Sequence, residues 1–328
     1  MSRRALVTGA TGGLGLALTT ALLDAGYEVR ATGRSPGAAE RLRAMGAEVV
    51  TGDLLSMDIA RLCEGMDAVF HAAALSSPWG PEPVFQRINV EATQALIAAA
   101  RTAGCDSFIF VSSPSIYAAF RDQIGLTEDS PLPRRGLNAY ARTKGAAEAL
   151  VLAADRPGFR TVAVRPRALI GPDDTVLLPR ILKLVRRGVL PVFRGGVAKI
   201  DLTDVRDAAR ALVLADRRRE TVGGRAVNIS GGMPIGIVDL ASRLAEASEV
   251  QLRLVPAPMP VMHALAAASE AIFSILPGRP EPTLTPYTLS TLAYSQTFDL
   301  TFARTALGYA PVHDPVASAL ELAQGMPA

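Results

Sequence analysis

The stretch Tyr140-Ala-Arg-Thr-Lys144 sets a phenol and an ammonium one helical turn apart, on one face of a helical pattern that continues through Glu148. Of the 34 lysines and arginines in the chain, only Lys144, Lys183 and Lys199 are lysines, so one at this spacing from a tyrosine stands out. A free phenol has a pKa of about 10, too high for efficient proton exchange at neutral pH. A positive charge beside it favours the phenolate and brings the group into the range of acid–base work. A second reactive stretch, Ser112-Ser113-Pro114-Ser115-Ile116-Tyr117, follows the apolar run Ser107 to Val111. A hydroxyl there can donate to a carbonyl oxygen as negative charge develops on it, although serines before a proline also build plain turns.

These groups need a scaffold, and the chain opens with one. Ala5-Leu-Val-Thr-Gly-Ala-Thr-Gly-Gly-Leu-Gly15 reads as strand, turn and helix, with glycines at Gly9, Gly12 and Gly15. Such a turn aims backbone N–H groups at a helix N-terminus, where a phosphate is favoured. The spacing differs from the tighter G-x-G-x-x-G, and a structural turn would also use glycines. Further strands are predicted at 27–32, 47–50, 68–72, 107–112 and 160–165, separated by alanine-rich helical stretches. That alternation predicts an α/β fold, a Rossmann-type doubly wound parallel sheet with a smaller C-terminal substrate domain. The expected division is a cofactor domain over 1–172, rejoined by about 199–232 through the strand Ala226 to Ser230, with 173–328 mainly substrate-binding. Helices are predicted at 176–187, 205–217 and 237–247.

At the end of the second strand, Ala31-Thr-Gly-Arg-Ser35 carries Arg34 and no acid, where a carboxylate would suit NAD and an arginine the 2′-phosphate of NADP. The expected cofactor is therefore NADP(H). Asp53 either touches the adenine or caps the helix after it.

Thr8-Gly9-x-x-Gly12-x-x-Gly15, His71-Ala-Ala-Ala, Asn89-Val-x-x-Thr, Ser113, Tyr140-x-x-x-Lys144, Arg165-Pro-x-x-x-Ile-Gly-Pro172 and Leu307-Gly-Tyr309 together resemble the extended short-chain dehydrogenase/reductase superfamily over nearly the whole chain. The resemblance implies Tyr140 as proton donor or acceptor, Lys144 on the nicotinamide ribose, Ser113 polarising the carbonyl and Asn89 supporting a water relay. Ser112 could stand in for Ser113, and Asn89 could be polar surface. It also implies cofactor contacts from Thr11, Leu54, Ala72, Ala73 and Pro166, and a homodimer. Pro114-Ser115 replaces the acidic pair of the sugar-nucleotide dehydratases, which argues against dehydration. The Ser-Ser-Pro-Ser segment and Trp79-Gly80 look like the 3β-hydroxysteroid dehydrogenase branch, whose bacterial relatives reduce 2-alkyl-3-oxoalkanoates and 3-ketosphinganine-type lipids. Reduction of a 3-keto group on a long apolar substrate is the reaction expected from that branch, with sugar-nucleotide epimerisation as the alternative and a non-catalytic NADP-sensing regulator a more distant one.

Substrate contacts are expected from Trp79, Ser115 and Arg167; Trp79 could instead be packing, and Arg167 could meet an acidic head group at the sheet's ligand edge. In 260–276, Val261, Leu265, Ala268, Ile272 and Phe273 form one helical face opposite His263, Glu270 and Ser274. The segment reads as a pocket lid, with a core helix or a peripheral membrane-surface helix as alternatives. A net charge of +3 argues against nucleic acid as partner. His71, His263 and His313 lack metal-ligand spacing, and Cys63 and Cys105 match no disulfide or metal pattern. With the first strand starting at Ala5 and no uncharged membrane-length run, the expected location is cytoplasmic.

Overall fold

The computed structural model describes residues 2–174 and 177–325. Its first half alternates strands and helices: β1 (Arg4–Thr8), α1 (Gly13–Asp24), β2 (Glu28–Gly33), α2 (Pro36–Ala44), β3 (Glu48–Thr51), α3 (Ile59–Cys63), β4 (Ala68–His71), α4 (Glu82–Phe85), α5 (Ala92–Thr102), β5 (Ser107–Val111), β6 (Gln123–Leu126), α6 (Ala139–Ala153) and β7 (Arg160–Pro166). A π-helical turn, Gln86–Glu91, joins α4 to α5. The main sheet has seven parallel strands in the order Arg225–Ile229, β7, β5, β4, β1, β2, β3. The strand Arg225–Ile229 returns from the C-terminal half to pair with β7 in register Arg225 to Val162.

Both faces of this sheet are covered, as buried parallel strands require. On one side α1 and the helix Val205–Arg217 pack on each other over Val7, Phe70, Ile109 and Val164. On the other, α5 and α6 bury Leu96, Ile97, Ala147 and Val151 against Leu6, Val69, Phe108 and Ala163. Alternate residues of each strand thus feed two separate cores. A smaller four-stranded sheet orders Ile235–Gly236, Lys199–Ile200, Gln296–Phe298 and β6, beside helices Leu178–Val185 and Ile237–Ala247 whose leucines make a third core. The helix expected over 176–187 would begin at Val176, outside the described residues.

Local signals fix the helix starts that matter. Gly12 caps α1, and Asn138 caps α6 by accepting from the Ala141 N–H at 2.8 Å. That cap sets Tyr140 in the first turn of α6 and Lys144 one turn on. The helix Met259–Ile275 corrects an expectation: it packs through Met259, Met262 and Ala266 on Phe193, Leu289 and Ala293. Val261, Leu265 and Ile272 are 52–54% exposed, and His263 stacks at 4.6 Å on Phe120. The face expected inside is outside, because the only residue of this helix buried outright is the small Ala266, which admits close approach to the helix Pro286–Ala293. None of its residues lines the cavity described below. Among the described residues no helix is long and apolar enough to cross a membrane.

Candidate active site

A cavity of about 850 Å³ opens along the C-terminal ends of the sheet strands, between the main sheet and the smaller sheet's helices. This is where open α/β sheets bind ligands, and the size lies within the about 300–1,000 Å³ of small-molecule sites. One end is the glycine turn. Gly9 has φ +70°, and a Cβ there would sit 2.6 Å from the Ala73 nitrogen. A Cβ on Gly15 would fall 2.2 Å from the Gly9 oxygen, and the Gly12 N–H closes the turn on that oxygen at 3.1 Å. Thr11, Leu54, Ala72, Ala73 and Pro166 also line the cavity. The turn, with its space in front of Gly12 and free helix N-terminus, fits the diphosphate of a nicotinamide dinucleotide.

Two further glycines belong to this end. A Cβ on Gly33 would meet Thr11 Oγ1 at 2.3 Å, and one on Gly13 would meet the Asp173 oxygen at 2.8 Å. The segment around Asp173 therefore closes over the turn, held to α2 by a bidentate Arg41–Asp173 pair at 2.7 and 3.0 Å. Gly13 was visible beside Gly12, but its partner 160 residues away has no local sequence signal.

At the other end stand Ser113, Tyr140 and Lys144. Ser113 caps a short 3-10 turn, Pro114–Tyr117, accepting from the Ser115 N–H at 3.2 Å, and its side chain faces Tyr140 closely enough to favour the phenolate. Burial pushes Tyr140 up to about 12, opposed by that Ser113 contact. Lys144 is 2% exposed, donates to the Val111 carbonyl at 2.5 Å and lies 3.9 Å over the Phe110 ring. Burial pushes its ammonium down to about 7. Its neighbour one turn on, Glu148, is committed to Arg165 through two charge-assisted bonds, and Arg165 also donates to the Tyr117 hydroxyl.

Asn89 does not line the cavity. It accepts from the Leu75 N–H at 2.8 Å and donates to Thr143 Oγ1 at 3.2 Å, tying the loop after β4 to α6. His71 bridges Thr8 and Thr93 at 2.7 and 2.9 Å and is pushed down to about 3 by burial and by Lys144, so its ring is neutral. Ser112 lines the cavity, whereas the buried Ser115 does not, and neither hydroxyl has a hydrogen-bond partner among the described residues. Trp79 lies outside the lining; its indole donates to the Arg279 carbonyl at 2.9 Å. Asp53 accepts from the Leu55 N–H at 2.9 Å, a local turn, while also facing the cavity. Arg167 lines the cavity from the end of β7, and the Tyr287 phenol lines it from the helix Pro286–Ala293. Tyr287 carried no sequence signal, since its role depends on a helix packed from 120 residues downstream of Arg167. Among the described residues no three His, Cys, Asp or Glu gather to hold a metal.

Residues 5–230 match the model of the family described as NAD dependent epimerase/dehydratase. A 4-hydroxy-2-methyl-3-oxo-4-farnesyl-3,4-dihydroquinoline-1-oxide ketoreductase from Stigmatella aurantiaca is 33% identical over 310 residues, covering 94% of this chain and 92% of the relative. A 2-alkyl-3-oxoalkanoate reductase from Stenotrophomonas maltophilia is 33% identical over 312 residues, covering 93% and 94%. Among solved structures, MoeE5 in complex with UDP-glucose and NAD superposes with a TM-score of 0.74 at 27% identity, covering 97% of both chains.

Two expectations are corrected. The two MoeE5 complexes, each 27% identical to this chain, are described with NAD, which overturns NADP(H). The local reason is visible: Arg34 is 74% exposed, and the Asp53 carboxylate stands 3.9 Å from its guanidinium, where it would repel a 2′-phosphate. The same two complexes are described with UDP-glucose and UDP-glucuronic acid, which overturns the apolar ketone as ligand. An apolar ligand would leave the buried Arg167, with no ion pair among the described residues, uncompensated in the cavity.

Proposed function

Since the chain belongs to the NAD dependent epimerase/dehydratase family, we propose that it is an NAD-dependent epimerase acting on a secondary hydroxyl of a nucleotide sugar, with Tyr140 exchanging the hydroxyl proton. The observation that supports this most directly is that Ser113, Tyr140 and Lys144 line one end of the cavity that the glycine turn bounds at its far end. NAD, when bound, supplies the hydride acceptor and returns the hydride. Gly9, Thr11, Gly12, Gly15, Leu54, Ala72, Ala73 and Pro166 would hold it, with Asp53 toward its ribose or adenine.

The chain's own residues divide the remaining work. Tyr140 takes the proton from the substrate hydroxyl oxygen and gives it back after hydride return. Ser113 donates to the same oxygen as it becomes carbonyl, stabilising charge there. Lys144, fixed by Val111 and Phe110, supplies a positive charge that favours the phenolate when it is protonated. Asn89 holds the loop after β4 on α6, which keeps these groups in register with the turn.

The test is incubation with NAD and UDP-glucose, UDP-galactose or UDP-glucuronate, with products separated by chromatography. Epimer formation without accumulation of NADH is expected; no conversion of any UDP-sugar contradicts the reading. A second reading, net reduction of a ketone by NADH, is supported by the two relatives named as reductases. It predicts NADH consumption with a ketone and no UDP-sugar conversion.

A further inference from the structure

We propose that Arg167 and Tyr287 form an anion subsite that takes a carboxylate on the substrate. Arg167 is 8% exposed and lines the same cavity as Tyr140. Its Nε is buried without a hydrogen-bond partner, and the guanidinium has no salt bridge among the described residues. The backbone around it is pinned: its N–H donates to the Ile229 carbonyl at 2.9 Å, and its carbonyl accepts from the Thr203 hydroxyl. The fold thus fixes a dry cation on the cavity wall and leaves its donors open.

The neighbouring groups do not discharge it. Asp201 is the carboxylate that senses Arg167, but it stands beyond ion-pair distance, and its Oδ2 accepts from the Phe298 N–H at 2.8 Å. Burial also holds Asp201 above the usual carboxylate range. Of the two other arginines in the lining, Arg180 is half-exposed and paired with Glu281 at 3.1 Å, and Arg34 is exposed beside Asp53. Glu148, the buried carboxylate under the site, is taken by Arg165. Arg167, Tyr287 and Tyr140 all line this one cavity, and the Arg167 charge favours the Tyr287 phenolate.

A guanidinium presents parallel N–H donors that match a carboxylate, and one cation balances one carboxylate charge. A buried cation without such a partner is a cost that ligand binding removes. The Tyr287 hydroxyl, on the wall of the same cavity, is a second donor within the same pocket. Two sources would supply this carboxylate: a uronosyl group of a nucleotide sugar, which rests on the proposed function, or a free hydroxy acid.

The experiment is calorimetric titration of the NAD-loaded enzyme with two matched pairs, UDP-glucuronate against UDP-glucose and 3-hydroxybutyrate against its methyl ester. In wild type the acid of one pair should bind about 10- to 100-fold tighter than its neutral partner. Arg167→Met should erase that ratio, Arg167→Lys should retain part of it, and Tyr287→Phe should lower it several-fold. Preference within the sugar pair identifies a uronosyl carboxylate. Preference within the hydroxy-acid pair alone keeps the subsite and overturns the nucleotide-sugar reading. Equal affinities within both pairs in wild type overturn the subsite, and epimerisation of UDP-glucose under the same conditions would show that the proposed function survives it. The wild-type comparison needs no variant to fold.

Discussion

Replacing Lys144 by methionine should stabilise the free protein while disabling it, and the stabilisation should depend on pH in a defined direction. The side chain is 2% exposed, and burial holds its ammonium at about 7 against the usual 10.5. Between those values the unfolded chain binds a proton that the folded chain does not, so stability rises with pH across that window and the penalty is full below pH 7. The displacement corresponds to about 5 kcal/mol at most. Loss of the Val111 carbonyl's partner takes back about 1 kcal/mol, and replacements of buried charges by apolar groups of similar volume typically gain about 1–4 kcal/mol. Lys144→Met should therefore raise the unfolding free energy by about 2–3 kcal/mol near pH 6, and by about 3 kcal/mol less near pH 9, where little or no gain remains. Urea denaturation of both proteins at the two pH values, without cofactor, measures this. Destabilisation near pH 6, or a difference that does not change with pH, refutes the reasoning.

The other buried charges behave oppositely. Glu148→Ala strips Arg165 of its bidentate partner in a site 5% exposed on both sides and should cost about 3–5 kcal/mol in denaturation experiments. Gly15→Ala drives a Cβ to 2.2 Å from the Gly9 oxygen and should abolish NAD binding in a calorimetric titration, whereas Gly37→Ala, in α2 with nothing within 4 Å, should bind NAD normally and gain up to about 1 kcal/mol. His71, neutral in the fold and held near 3 against the usual 6.5, gives up stability as pH falls below about 6.5, so His71→Gln should flatten the acid limb of the thermal unfolding curve.

Much of the main sheet is legible in the chain because most of its strands are short apolar runs closed by glycine or polar residues, and helices such as α2, α3 and α6 carry side-chain caps in Ser35, Asp58 and Asn138. Gly9, Gly12 and Gly15, Tyr140 and Lys144 are readable for the same reason: their meaning lies in local spacing. Arg34 misleads because its partner, Asp53, comes from a different strand's end and changes what the guanidinium can hold. Periodicity assigns faces to the helix Met259–Ile275 but cannot say which face meets protein, and the four-residue grip of Met259, Met262, His263 and Ala266 inverts the expected orientation. Arg167 was readable as a candidate from its place after β7, while its lack of an ion-pair partner among the described residues and its sharing of one cavity wall with Tyr287 arise only from packing between distant segments.

The central claim is that Tyr140 moves the hydroxyl proton while hydride leaves and returns at the same carbon. Proton NMR of UDP-sugar interconversion in deuterated water, with NAD and either wild type or Tyr140→Phe, tests it most directly. Wild type should form the epimer without deuterium at the inverted carbon, and Tyr140→Phe should slow the reaction by about 10²–10⁴-fold with NAD binding intact. Deuterium at that carbon, or a phenylalanine variant close to the wild-type rate, would contradict the account.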